Sequence, residues 1–224
     1  MPNLFISREL ADASPVRAFA QANGYTLYAE SLVEFLPVQF ARIPQVDWVF
    51  FYSKRAVQFF FRQLQQRGTS LSKDTSIAVL GDGTAKALKE FGRTADFSGN
   101  GKPEWVAEAF LGVAAGQHVL FPRARRSRQS VQHYLQEKLH VHDLVVYDNQ
   151  IKTGIDVPDC DVLLFTSPLN VKAWLKVHAF RENEQIIVAI GQTTGEALRQ
   201  YGVTPRIAAR PSEEEMLACL AAKS

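Results

Sequence analysis

The sequence predicts an α/β protein made of two similar parallel-sheet units, and three observations support this. Apolar runs at 49–51, 77–80, 162–165 and 186–190 lack polar alternation, as in strands covered on both faces. Each run leads into a helical pattern through a serine or glycine turn. The whole arrangement also occurs twice, in the same order.

The elements can be paired along the chain. NLFISR at 3–8 matches HVLFPR at 118–123, each a strand-like run ending in arginine, Arg8 and Arg123. DWVFFYSKRAV at 47–57 matches DVLLFTSPLNV at 161–171, with Asp, Phe, Ser and Val in register. IAVLGDGTAKALKEFG at 77–92 matches IVAIGQTTGEALRQYG at 187–202 without a gap. A last helix closes each copy, KPEWVAEAFL at 102–111 and RPSEEEMLACL at 210–220. The offsets between copies are 115, 114 and 110 residues (3 to 118, 47 to 161, 77 to 187), so order and spacing are both kept. The helix ends are marked as well. Pro103 suits a first turn, Ser212 with Glu215 reads as a capping box, and Gly92 and Gly202 stand where C-caps belong. Read from the repeat alone, the boundary between units falls near residue 115.

Composition limits the function. A chain of 224 residues, 46% apolar, can bury a sizeable core, and a net charge of +2 gives no reason to expect nucleic acid. The densest basic run, ARRSR at 124–128, reads first as a solvated helix start. Two distant cysteines, no apolar leader before Arg8 and Glu9, and no membrane-length apolar run fit a cytoplasmic protein without membrane contact. The five histidines show no metal-ligand spacing, so no metal is expected.

The glycine turns are not nucleotide loops. Neither has the Gly-Lys-Ser/Thr ending of a P-loop, and Lys86 occupies the third glycine position of a dinucleotide fingerprint. They still offer free backbone N–H groups at a helix start, which suits carboxylates as well as phosphates. Gly81, Gly83 and Thr84 in the first copy, and Gly191, Thr193 and Thr194 in the second, are the candidate groups. Ser53, with Lys54 beside it, and Ser167 begin helices after apolar strands in the same way. No histidine or acid stands at a spacing that would activate either serine, so anion donation is the milder reading. Asp82, directly after Gly81, weakens the first turn as a carboxylate grip.

This ordered set of segments, with DLVVYDNQI between the halves, resembles the uroporphyrinogen-III synthase family over nearly the whole chain. The resemblance implies two α/β domains, one discontinuous, joined by a two-stranded β ladder, with the active site in the cleft between them. Residues 1–34 with 150–224 would form one domain and 35–149 the other, the ladder pairing 32–37 with 145–151. It implies a cofactor-free, metal-free lyase that closes hydroxymethylbilane, a linear polycarboxylate tetrapyrrole, with loss of water and inversion of ring D. Tyr147, Thr84 and Thr194 would then be catalytic. Arg8, Ser53, Lys54, Gly81, Gly83, Arg123, Ser167, Gly191 and Thr193 would bind substrate. Transient contact with the preceding pathway enzyme goes with this reading, and a monomer is expected because no association stripe stands out in the sequence. The competing expectation is a non-catalytic bilobed regulator sensing an anion, which would usually carry an appended effector segment, and none is expected. A nucleotide-dependent enzyme is disfavoured by the failed glycine motifs.

Overall fold

A computed structural model describes residues 1–127, 129–181 and 184–221. In chain order the first elements are β1 (Asn3–Ile6), α1 (Pro15–Ala22), β2 (Thr26–Ala29) and β3 (Val33–Pro37). Then come β4 (Trp48–Phe51), α2 (Lys54–Gln66), β5 (Ser76–Val79), α3 (Asp82–Leu88), β6 (Phe97–Ser98) and α4 (Pro103–Ala114). The middle closes with β7 (His118–Ala124), α5 (Gln132–Leu135) and β8 (His140–Ile151). The last elements are β9 (Val162–Phe165), α6 (Pro168–Trp174), β10 (Ile186–Ala189), α7 (Gln192–Arg199), β11 (Arg206–Ile207) and α8 (Glu213–Ala221). Two compact units emerge, Met1–Glu34 with Gln150–Ser224, and Phe35–Asn149.

The first unit carries a five-stranded parallel sheet in the order β11-β10-β9-β1-β2. Successive residues of β1 serve opposite faces. Leu4 and Ile6 join Val16, Leu164, Val188 and Met216 on one side. Phe5 packs against Trp174 of α6 on the other, ring centroids 4.9 Å apart. Both faces are covered, which is why its strands read as unbroken apolar runs.

The second unit carries six strands in the order β3-β8-β7-β4-β5-β6. The pairs from β8 to β6 are parallel. β3 runs antiparallel to β8: Lys152 donates its N–H to the Leu32 carbonyl at one end, and Val38 to that of Val146 at the other. The 32–37 and 145–151 segments therefore do pair, but β8 is also bonded along β7, so the ladder is the edge of a larger sheet. Val49 and Phe51 pack with Phe60, Leu64 and Leu88 on one face. Phe50 packs with Phe110 and Phe121 on the other.

The two sheets explain why the repeat and the units have different boundaries. β1 and β7 are equivalent in the repeat, yet β1 pairs with β9 and β7 with β4. Each sheet thus combines the first strand of one copy with the later strands of the other. A cut near residue 115 would divide the second unit.

The helix ends hold with one correction. Pro103 opens α4, and Gly92 and Gly202 adopt φ of 65° and 79°, the left-handed region that favours glycine. Ser212 accepts the Glu215 N–H at 3.3 Å, but the Glu215 carboxylate turns to Arg210 at 2.9 Å, so the box is half made.

Asn170 ties the end of the first unit's opening segment to α6. Its Oδ1 accepts the N–H of fully buried Leu32 at 2.7 Å, and its Nδ2 donates to Ser167 Oγ at 3.0 Å. Replacing Asn170 by Ala strands that buried N–H and should cost about 1–3 kcal/mol in urea unfolding of this unit; a midpoint equal to wild type would refute the tie.

Candidate active site

Parallel sheets bring every strand-to-helix turn to the carboxyl edge, where ligands of open α/β sheets bind. In the second unit that edge carries Ser53 after β4 and Gly81 after β5. Ser53 is extended (φ −151°) and its Oγ accepts the Ala56 N–H at 3.2 Å, leaving the hydroxyl proton to donate elsewhere. Lys54 follows, exposed. Gly81 is also extended (φ −177°) and caps α3 without a side chain. Space there is tight: an added Cβ would lie 3.3 Å from the Gly101 backbone nitrogen, and that backbone would have to give by a few tenths of an ångström. The 99–101 segment is held there by the Gly101 N–H bonded to Leu80 O at 2.8 Å. Tyr52, Lys54, Gly81, Asp82, Gly83, Thr84 and Asn100 line one hollow of about 670 Å³.

The first unit repeats these turns with a difference. Ser167 (φ −161°) caps α6, its Oγ accepting the Asn170 N–H at 3.3 Å. Gly191 (φ 179°) caps α7, and an added Cβ there would meet nothing within 4 Å. The second-copy turn is open where the first is walled. Thr84 and Thr194 sit alike, buried at 7% and 3% exposure on the first turns of their helices, with Gly83 and Thr193 exposed beside them. Arg8 follows β1, half exposed and 3.9 Å from Glu213.

Arg123 occupies a different setting. Its Nε donates to Asp143 Oδ1 at 2.6 Å and its Nη2 to the other carboxylate oxygen. Nη1 donates to the carbonyls of Ala124 and Arg125 at 2.8 and 3.0 Å. All three guanidinium nitrogens are thus engaged inside the unit. Asp143 also accepts from Gln132 Nε2 at 3.4 Å, and the Gln132 N–H donates to the Tyr52 hydroxyl at 3.0 Å. Burial pushes the Tyr52 phenol well above its ordinary pKa. Nothing in the sequence pairs Tyr52 with Gln132 or Asp143. The basic run 124–128 follows, with Arg125 3.2 Å from Asp148 and Arg126 exposed; Arg128 lies outside the described residues.

Tyr147 lies on β8. Its ring is buried (9% exposed), stacked on Phe59 with centroids 5.1 Å apart and near Phe35 at 6.2 Å, and it is the Phe35 ring that lies under the Arg55 guanidinium. On strand alternation Asn149 shares its face, and Asn149 Oδ1 is buried without a hydrogen-bond partner among the described residues. In the second unit, then, Lys54, Gly81, Gly83 and Thr84 come together, while Arg123 and Tyr147 stand on β7 and β8. Among the described residues no group of three or more His, Cys, Asp or Glu side chains is arranged to hold a metal ion, and no helix is long and apolar enough to cross a membrane.

Comparisons with known proteins bear on the family and the fold. The family model described as uroporphyrinogen-III synthase HemD matches residues 16–218. A protein of Methanothermobacter thermautotrophicus, provisionally named uroporphyrinogen-III synthase, is 26% identical over 93% of each chain. One of Methanocaldococcus jannaschii with the same provisional name is 29% identical over 72% of each. The crystal structure of the Helicobacter pylori uroporphyrinogen-III synthetase shares the fold, with a TM-score of 0.73 over 99% of both chains at 23% identity.

The Arg123–Asp143 pair yields a direct test. Asp143→Ala leaves a mostly buried guanidinium without its carboxylate and should lower stability by about 1.5–3 kcal/mol in chemical denaturation. An unchanged midpoint would mean that the pair contributes nothing.

Proposed function

The chain belongs to the uroporphyrinogen-III synthase family, and we propose that it performs the family's cyclisation by holding substrate carboxylates at the helix starts of both units. The substrate, hydroxymethylbilane, is a linear tetrapyrrole with acetate and propionate groups on every ring. Its terminal hydroxyl leaves as water, giving an azafulvene on ring A. Ring D attacks through its already substituted carbon, and the spiro intermediate fragments and recloses with ring D inverted. Closure without inversion also occurs spontaneously, so most of the enzyme's work is to fix the conformation of a flexible chain.

The observation that carries this reading is the recurrence of one turn chemistry in both units. Ser53 and Ser167 cap their helices through Oγ, and Gly81 and Gly191 open theirs with bare backbone. Many weak donors suit a ligand with many carboxylates better than one strong site would. Lys54 and Arg8 add exposed cationic charge near these turns. Arg123 acts in this scheme by holding the 124–125 backbone that carries the basic run. Thr84 and Thr194 are the hydroxyl donors of the two turns, and Tyr147 is the candidate to hydrogen-bond the departing hydroxyl. The family match leaves the non-catalytic regulator unsupported. The free thiols of Cys160 and Cys219 suit a reducing compartment, and the cytoplasm and a monomeric state complete the proposal.

The deciding assay supplies freshly made hydroxymethylbilane and resolves the product isomers. Isomer III, formed faster than spontaneous closure, is the expected product; isomer I alone at the spontaneous rate would sink the proposal. Tyr147→Phe should lower kcat by about 10–100-fold with little change in KM; a kcat within about twofold of wild type would remove the tyrosine from this role. Thr194→Val should instead raise KM, by about tenfold if its hydroxyl meets a carboxylate, and an unchanged KM would exclude that contact.

A further inference from the structure

At the amino-terminal end of β7 and β8, on the sheet edge opposite the turns, three histidines form a cluster. In the parallel register His118 pairs with His140 and Leu120 with His142, so the three side chains share one face of the sheet. The His118 ring stacks on that of His140, centroids 4.5 Å apart, and lies 5.2 Å from that of His142. His118 Nδ1 and His142 Nε2 approach to 2.9 Å. The backbone beneath is fixed, because the His118 N–H donates to Asp47 Oδ2 at 2.8 Å.

We propose that His118 Nδ1 and His142 Nε2 form a two-imidazole site for a tetragonal divalent cation, copper(II) or nickel(II), with water completing the coordination. The argument rests on the separation of the two nitrogens. With metal–imidazole bonds of about 2.05 Å, two nitrogens at a right angle stand about 2.9 Å apart, against about 3.4 Å at the tetrahedral angle of zinc. In the hydrogen bond the two nitrogens face each other, so binding reorients the imidazoles until both lone pairs converge on the ion, while neither strand has to move. The proton now shared between the rings moves to the other nitrogen of its own imidazole, so both ligating atoms present lone pairs and no net proton is released. His140 stacks against the His118 ring beside the pair. The site is independent of the cyclisation and lies away from the turns that serve it.

The test uses the full chain, stripped by chelator and titrated at pH 7.5 with CuCl2, NiCl2 or ZnCl2 alone. One copper per chain is expected, with nitrogen hyperfine structure from two imidazoles in its electron paramagnetic resonance spectrum. Nickel should bind more tightly than zinc and raise the thermal midpoint. His118→Ala and His142→Ala should each weaken nickel binding at least about tenfold. His133→Ala, which alters an exposed histidine on α5, should leave binding unchanged. If the alanine variants unfold, His118→Gln and His142→Gln replace them in the same titration. Copper binding unaltered by both His118 and His142 substitutions, a spectrum without nitrogen couplings, or zinc preferred over nickel would overturn the proposal.

Discussion

Everything in this chain depends on parallel strand pairing between segments that are distant in sequence. β1 bonds to β9 across more than half the chain, Leu4 opposite Val162 and Ile6 opposite Leu164. β7 bonds to β4 in the same sense. Parallel strands cannot be joined by a tight turn, so each connection must be a crossover, and the crossovers cover both faces of the sheet. That requirement places α1 and α8 against Leu4 and Ile6 while α6 packs against Phe5. It also sends every strand-to-helix turn to one edge, which creates a binding edge without any special loop.

Duplication supplied the two edges, but the copies have diverged where it matters. The 99–101 backbone crowds Gly81, whereas Gly191 faces open space. The first turn also carries Asp82, and it shares its hollow with Lys54 and Tyr52. Opposite charges there offset one another, so the hollow offers shape and hydrogen-bonding groups more than net charge. The second turn has neither a wall nor a charge in its first helical positions, only Gln192, Thr193 and Thr194.

The sequence made strands and turns legible because their signals are local. Unalternated runs located β4, β5, β9 and β10, and Ser53, Ser167, Gly81 and Gly191 do cap helices. The partition into units was not legible from the repeat, because exchanging β1 and β7 between copies leaves every local pattern intact. Side-chain commitments were equally hidden. Arg8 and Arg123 end matching segments, yet one is half exposed near Glu213 and the other is bound by Asp143 and two carbonyls. Tyr147 alternates like a wet strand residue, but Phe59 and Phe35 cover its ring. Asp143, Phe59 and Phe35 lie 20 to 112 residues from the side chains they bind (123 to 143, 147 to 59 and 35), beyond the reach of any periodicity.

The binding of Arg123 has a consequence for its neighbours. A guanidinium that donates to the carbonyls of Ala124 and Arg125 fixes the path of the chain as it leaves β7. Asp143, on the adjacent strand, is anchored in turn by Gln132, which is held by Tyr52 at the end of β4. The network therefore spans three neighbouring strands and ends at the backbone bearing Arg125 and Arg126. Holding that segment in advance lowers the conformational entropy lost when its exposed cations meet an anion. Under the proposed function, an arginine bound by a carboxylate would serve a polycarboxylate ligand indirectly, by holding in place the cations that remain exposed.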